Sequence, residues 1–173
     1  MRWTLMLHPD CQSDAVEGVE VEAGPLSGTQ LRLRYVVTGR IGDIAWPHAA
    51  DPERADGLWQ STCFEVFARH AGAEGYDEFN FSPSTQWAVY RFDGYRSGMT
   101  KPDVLGPRIE GRHGQKHYEL HVAFDLPGAP PWRLALAAVI EETNGRKSYW
   151  ALAHPPGRPD FHHADGFVLE LGA

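Results

Sequence analysis

The chain has 173 residues, of which 42% are hydrophobic and 23% charged, a composition typical of one globular domain with a sizeable core. Its 16 basic and 23 acidic residues give a net charge of -7, and no basic run or stripe occurs. These charges exclude nucleic acid and anionic membrane as electrostatic partners. The sequence lacks both the roughly 20 consecutive apolar residues of a membrane helix and an N-terminal signal segment. We therefore expect a cytoplasmic protein with a single domain over residues 1–173.

Turn-forming residues punctuate the whole chain, with 18 glycines and 13 prolines distributed rather than clustered. The short segments between them alternate apolar and polar residues, which is the pattern of a strand with one buried face. No longer segment repeats apolar residues with the period of about 3.6 that marks an amphipathic helix. The sequence predicts an all-β fold with less than about a fifth helix and strands at Arg2–Leu7, Gly18–Ala23, Gln30–Thr38, Thr62–His70, Tyr76–Ser82, Trp87–Phe92, Lys116–Asp125, Trp132–Glu141, Ser148–Ala153 and Gly166–Leu171.

Three longer loops are expected at Trp46–Leu58, Gly94–Arg112 and His154–Asp165, where proline and other turn residues concentrate. The last of these segments holds too many prolines for a central strand. The chain has only two cysteines, Cys11 and Cys63, and a secreted disulfide scaffold would carry more. We expect two free thiols in a reducing compartment.

Two neighbouring predicted strands place polar residues on a face that a buried sheet does not favour. Side chains alternate along a strand, so Phe64 and Val66 point to one face of the first strand, and Phe79 and Phe81 point to one face of the second. The opposite face carries Glu65 on the first strand, and Glu78 and Asn80 on the second. A carboxylate flanked by apolar side chains is costly unless a partner compensates it. Either an internal partner such as Arg91 or a polar ligand could fill that role.

Three segments together resemble the bacterial DOMON-like domains, which are related in fold to family 9 carbohydrate-binding modules. The segments are GLWQSTCFEVFAR, EFNFSPSTQWAVYRFDGYR and HPPGRPDFHHADGFVLEL, and the resemblance extends from about Arg34 to Leu171. It implies an immunoglobulin-like antiparallel β-sandwich with a small-ligand site on its concave face or rim. Sugars and haem are ligands in the wider group.

The resemblance also implies a set of ligand-binding residues. In the sugar-binding modules a tryptophan lies six positions before a strand glutamate, and Trp59 and Glu65 have this spacing here. The second stacking aromatic of those modules lies in the loop before the last strand, where this chain has Phe161. Glu78 or Asn80 would occupy the place of a polar group on the adjacent strand. The pair His162 and His163 departs from the sugar-binding pattern, and we expect one of them at the rim.

Other interpretations of these residues stay open. Trp59 is equally well suited to closing one end of the sandwich. Glu65 and Glu78 could act as an acid and base pair, although no cleft signature supports catalysis. Met99 with a loop histidine could ligate haem. A metal site among His154, His162 and His163 is not favoured, because the chain has no zinc-type spacing.

The sequence thus predicts an immunoglobulin-like antiparallel β-sandwich that binds a sugar-like small molecule without catalysing a reaction. The predicted ligand-binding residues are Trp59, Glu65, Glu78, Asn80, Phe161, His162 and His163. No metal and no cofactor is expected. The two alternatives are a haem-binding electron-transfer domain and a structural or protein-interaction module whose polar face is satisfied internally. The sequence identifies no protein partner.

Overall fold

The computed structural model describes residues 1–172 and contains a single antiparallel sheet that curls over on itself to form a sandwich. Each strand is short and bounded by turns, as the distribution of glycine and proline predicts. The strands are β1 Arg2–Leu7, β2 Val16–Ala23, β3 Gln30–Gly39, β4 Cys63–His70, β5 Tyr76–Phe81, β6 Trp87–Phe92, β7 Arg108–His113, β8 His117–Asp125, β9 Trp132–Glu141, β10 Lys147–Ala151 and β11 Leu169–Leu171.

The sheet has two halves that meet at β1. The first half has the order β1-β2-β3-β8-β7, and the second has the order β6-β5-β4-β9-β10, with β11 also paired to β9. Arg2 to Leu5 of β1 pair with β2, whereas Met6 and Leu7 pair with β10. The short β1 therefore passes from one half of the sandwich to the other.

Apolar residues from both halves fill the space between them. The largest fully buried side chains there include Trp132, Tyr35, Tyr118, Phe64 and Phe81. Tyr35 on β3 donates a hydrogen bond of 3.0 Å from its hydroxyl to the carbonyl oxygen of Glu65 on β4. This bond joins the two halves directly beneath the residue that the sequence marks as a ligand contact.

The predicted all-β sandwich with little helix is confirmed. All ten predicted strands are present, and three 3-10 helices of three residues each supply the helical content. Most strand ends agree within about two residues, which is the usual disagreement between assignments. The last strand begins at Leu169 rather than Gly166, because Ala164–Gly166 forms a 3-10 helix. Residues 1–172 contain no helix with the length and apolarity that crossing a membrane requires.

The predicted loop Gly94–Arg112 is wrong at its C-terminal end, where the edge strand β7 lies. Its sequence, RIEGRH, contains one apolar residue, so it shows no alternation. Gly111 is required within it, because a Cβ atom there would lie 2.3 Å from the Tyr118 hydroxyl oxygen. The strand is defined by pairing with β8 and not by a buried face of its own.

We predict that Tyr35→Phe lowers the free energy of unfolding by about 1 kcal/mol, because it removes a buried hydrogen bond. The matched control is Tyr118→Phe. Tyr118 is also buried, but its hydroxyl has no hydrogen-bond partner among residues 1–172. That substitution is expected to be neutral or stabilising. Urea denaturation followed by far-ultraviolet circular dichroism measures both, and equal losses in the two variants would contradict the role given to the Tyr35 bond.

Candidate functional site

The outer face of the second half-sheet carries the polar residues. Phe64 and Phe79 point into the core, so the alternation of β4 and β5 turns Glu65 and Glu78 to the opposite face. Glu65 pairs across the sheet with Asn80, and Glu78 pairs with Phe67 on one side and Tyr90 on the other. The two glutamates are therefore diagonal neighbours on adjacent strands, within reach of each other's long side chains.

Three connecting segments border this face and form the walls of a partly open cavity of about 470 Å³. They are the 3-10 helix Leu58–Gln60, the turn after β6, and the proline-rich segment before β11. The floor comes from β4, β5, β6, β9 and β10. The lining residues are Trp59, Glu65, Glu78, Tyr90, Phe92, Arg96, Met99, Val139, Tyr149, Pro159, Phe161 and His162.

Aromatic rings form the walls of the cavity. Trp59 meets Tyr90 edge to face, with ring centroids 6.3 Å apart, and Phe161 meets Tyr149 at 6.0 Å. Trp59 remains 45% exposed although it contacts the sheet face. An exposed tryptophan beside a lined cavity does not close the end of the sandwich, and it leaves an apolar surface available for a ligand.

Glu78 is held by neighbouring side chains. The Asn80 amide donates a hydrogen bond of 2.7 Å to its Oε1 atom, and the Cys63 thiol lies 3.6 Å from the Asn80 carbonyl oxygen, which orients that amide. His162 Nε2 lies 3.6 Å from Glu78 Oε2. Burial raises the pKa of Glu78, whereas the bond from Asn80 and the nearby charge of Arg96 act to lower it.

His162 is fixed in one tautomer by Tyr76. The Tyr76 hydroxyl oxygen accepts a bond from the Arg96 backbone N–H at 3.2 Å and lies 2.7 Å from His162 Nδ1. Its hydroxyl hydrogen is thus available to Nδ1, which acts as the acceptor. Burial, with Arg96 nearby, lowers the pKa of His162 to about 4. The neutral imidazole therefore carries its proton on Nε2, the atom that faces Glu78.

Glu65 differs from Glu78 because nothing holds its carboxyl group. The residue is only 3% exposed, it lines the cavity, and no donor among residues 1–172 lies within hydrogen-bond distance of its carboxyl oxygens. Burial and the proximity of Glu78 raise its pKa well above the ordinary value. The expected internal partner does not reach it, since both Arg91 hydrogen bonds go to Asp77.

Two aspartates fasten the covering segments, Asp160 to one another and Asp56 to the sheet. Asp160 accepts bonds from the Tyr95 hydroxyl at 2.5 Å and from the Arg96 guanidinium at 2.8 Å. Asp56 accepts bonds from Tyr90 at 2.8 Å and from Lys101 at 2.6 Å. Each carboxylate links segments that are distant in sequence. The cavity is therefore largely preformed.

Arg96 lies in a turn with strained backbone. Its φ angle is +50°, a left-handed conformation that few residues other than glycine adopt. The turn is closed by a bond of 3.1 Å from the Ser97 N–H to the Gly94 carbonyl. Such strain persists only where the surroundings impose it, and it concentrates at functional sites. Here the bonds of Arg96 to Asp160 and Tyr76 maintain it.

The structure brings together five of the seven residues predicted from sequence: Trp59, Glu65, Glu78, Phe161 and His162. Asn80 lies beneath the cavity and contacts Glu78 instead of facing the space. His163 lies in an adjacent depression, where its Nδ1 accepts the Asp165 backbone N–H at 3.2 Å. His162, the other histidine that the sequence analysis considered for the rim of the site, forms part of the cavity wall instead.

The sequence analysis missed several residues that line the cavity. Tyr90 and Phe92 alternate with core residues of β6, which places them on one face, and the pairing of β6 with β5 brings Tyr90 opposite Glu78. Tyr149 lies opposite Val139 in the pairing of β10 with β9, which only the assembled sheet defines. For Arg96 the sequence offered only the turn motif DGYRSG, which indicates a turn after β6 but does not indicate that Arg96 reaches the cavity.

The cavity does not fit haem ligated by Met99 and a histidine. Met99 is 52% exposed and His162 lines the same cavity, but both ring nitrogens of His162 face protein groups, Tyr76 and Glu78. His154 Nε2 contacts the Met6 carbonyl at 2.8 Å. Over residues 1–172, no three His, Cys, Asp or Glu side chains are arranged to hold a metal ion.

Comparison with known proteins shows the fold. No protein-family model and no curated protein matches the sequence. A proposed carbohydrate-binding protein from Bacteroides uniformis has a similar structure, with a TM-score of 0.67 at 14% identity over 96% of this chain and 84% of the other. A family 9 carbohydrate-binding module from Caldicellulosiruptor kristjanssonii is similar in its complex with cellotriose, with a TM-score of 0.54 at 13% identity over 86% and 70%. Its glucose complex gives 0.51 at 12% identity over 86% and 72%.

We predict that Glu65→Gln raises the free energy of unfolding at pH 7 by about 1–3 kcal/mol, because glutamine has no charge and the cost of ionising a buried carboxyl group next to Glu78 disappears. Because the pKa of Glu65 is raised in the folded state, its favourable contribution exists below the unfolded value of 4.5 and is lost as pH rises. The gain should therefore be largest at neutral pH and shrink on acidification.

The matched control is Glu142→Gln. Glu142 is equally buried at 3% exposure, but its carboxylate accepts bonds from Ser13, Asp14 and Ala15, so this variant should be destabilised. Chemical denaturation between about pH 4 and pH 8 measures both proteins. If Glu65→Gln loses as much stability as Glu142→Gln, Glu65 is a structural residue and the candidate site loses its central feature.

Proposed function

We propose that this protein is a non-catalytic carbohydrate-binding domain whose ligand occupies the cavity on the outer face of the second half-sheet. One observation carries the proposal: Glu65, a residue only 3% exposed, lines an aromatic-walled cavity, and its carboxyl group has no protein donor among residues 1–172. Sugar hydroxyls donate hydrogen bonds, and carboxyl oxygens are strong acceptors for them. A bound sugar would supply the partner that the protein does not.

The aromatic walls of the cavity suit the apolar faces of a sugar ring. A pyranose ring presents apolar C–H groups on its faces, which pack on aromatic rings. Trp59 and Phe161 come from two different covering segments and line the same cavity. We propose that they stack on the ligand, with Tyr90 and Tyr149 extending these surfaces.

Ligand binding explains the glutamate pair better than catalysis does. Glycosidases place their two carboxyl groups on either side of the bond that is cleaved. Glu65 and Glu78 are neighbours on the same floor, on adjacent strands. The fold supports the proposal too, because the structurally similar family 9 modules were solved with glucose and cellotriose bound. The narrower DOMON-like relationship and the cytoplasmic location stay predictions.

We predict that Trp59→Ala weakens sugar binding by about 1–3 kcal/mol, the scale of losing an aromatic anchor. Trp59→Phe should give a smaller loss, because a ring remains. The control is Trp46→Phe, since Trp46 packs on Tyr118 with centroids 4.1 Å apart, outside the cavity. Isothermal titration with glucose, glucosamine and cellotriose measures affinity. Absence of binding to these sugars and to a wider glycan panel would favour the structural or protein-interaction alternative.

The haem alternative predicts a different outcome, which an absorption spectrum measures. We expect added haemin to give no sharp Soret band, because His162 has no ring nitrogen available for iron. A stoichiometric band that shifts on reduction and disappears in Met99→Ala would establish haem binding instead. Tyr95→Phe is a suitable control, because Tyr95 is exposed and contacts Asp160 without lining the cavity.

A further inference from the structure

We propose that the ligand is an amino sugar whose ammonium group binds between Glu65 and Glu78. This inference rests on the proposed sugar-binding function and names its ligand class. It follows from the charges, the free acceptors and the rings that face the cavity.

The cavity lining contains more acidic than basic side chains. Glu65 and Glu78 contribute two carboxyl groups to its floor. The only cationic side chain in the lining, Arg96, is paired with Asp160 at 2.8 Å, and its side chain is half exposed to solvent. His162 is neutral, because its Nδ1 accepts the Tyr76 hydroxyl and burial lowers its pKa to about 4. Arg96 is near enough to act against the raised pKa of both glutamates, but its guanidinium bonds Asp160 and not the glutamates, so one shared cation faces two carboxyl groups.

The acceptors that remain free match an ammonium group. Glu78 Oε1 already accepts a hydrogen bond from the Asn80 amide. The His162 Nε2 atom lies 3.6 Å from Glu78 Oε2, which is too long for a hydrogen bond. Both carboxyl oxygens of Glu65 lack a donor among residues 1–172. An ammonium group has three N–H donors, whereas a hydroxyl has one. One ammonium group can bond both oxygens of Glu65 and complete the shell of Glu78, with charge-assisted strength.

The aromatic walls favour a cation for a second, independent reason. The faces of aromatic rings carry partial negative charge and attract cations within about 6 Å of the ring centre. Trp59, Tyr90, Phe92, Tyr149 and Phe161 all line the cavity. A neutral sugar uses these rings only as apolar surface. An amino sugar uses them both for stacking and for stabilising its charge.

Binding of a cation should release a proton. Burial and the proximity of Glu78 raise the pKa of Glu65, and burial raises the pKa of Glu78, so ionising both carboxyl groups together is unfavourable without a cation between them. An ammonium ion between them favours both ionised forms. The affinity for an amino sugar should therefore rise with pH while the amine stays protonated. The titratable or charged groups around the pair are Tyr35, Cys63, Tyr76, Tyr90, Arg96, Tyr149, Asp160 and His162.

The test compares D-glucosamine, D-glucose and N-acetyl-D-glucosamine by isothermal titration calorimetry. At about pH 6 the sugar amine, like an α-amino group, is protonated. We expect glucosamine to bind at least about tenfold more tightly than the two neutral sugars, as for a charge-assisted contact in a buried site. The glucosamine affinity should rise between about pH 5 and pH 6.5, while the neutral sugars show no such increase.

Variants locate the effect. Glu65→Gln and Glu78→Gln should each lower the ratio of glucosamine to glucose affinity by about tenfold or more. The control is Glu110→Gln, which makes the same change in net charge on the exposed face of β7, away from the cavity, and should keep the ratio. If one cavity variant fails to fold, the other variant and the wild-type comparison still decide the question.

The outcomes separate the two proposals. Glucose binding as tight as glucosamine binding overturns the amino-sugar inference and leaves sugar binding intact. Equal loss of preference in Glu110→Gln also overturns it, because the effect would then arise from long-range charge. Binding of cyclohexylammonium with no binding of glucosamine overturns both proposals, since the site would select an amine and not a sugar. Absence of binding to every sugar tested overturns both as well.

Discussion

A strand's period of two imposes the central constraint on this molecule. Phe64 and Phe79 must face the core, so Glu65 and Glu78 must face away from it. On an ordinary sandwich that outer face meets water, and a carboxylate there costs little. Here three connecting segments border the face, so Glu65 is only 3% exposed, and they supply no donor to its carboxyl group. The cost of burying that group is offset by a well-packed core, and it leaves a site that is poised for a ligand.

The parts of the structure that sequence predicts are those set by local pattern. Alternation and turn residues identify ten strands and place Glu65 and Glu78 on one face. The sequence analysis did not predict strand β7, because one apolar residue cannot show an alternating pattern. Pairing with β8 defines this strand. Asn80 shows a second limit: a shared face does not mean shared access, because its amide turns toward Glu78. Tyr149 and Arg96 reach the cavity through strand order and a turn, which single-sequence patterns do not encode.

The rigidity of the three covering segments matters for ligand binding as much as the residues that they contribute to the cavity. Asp160 connects the turn after β6 to the segment before β11, and Asp56 connects the helix-bearing loop to Tyr90 and Lys101. A preformed site loses less conformational entropy when a small ligand binds, which matters because sugars offer few apolar contacts. The left-handed backbone of Arg96 is consistent with this arrangement, since a strained turn persists only when several bonds fix it.

The two glutamates are not equivalent, and the reason lies in their neighbours. The Arg96 backbone N–H binds the Tyr76 oxygen and the Tyr76 hydroxyl binds His162 Nδ1, which leaves His162 Nε2 at 3.6 Å from Glu78, too far for a hydrogen bond. Asn80 supplies the one close donor to Glu78. This donor favours the ionised form at Glu78, whereas Glu65 receives none among residues 1–172. Glu78 already accepts the Asn80 amide, whereas the Glu65 carboxyl group has no donor among residues 1–172. In the proposed complex the strongest donor of the ligand would therefore bond Glu65.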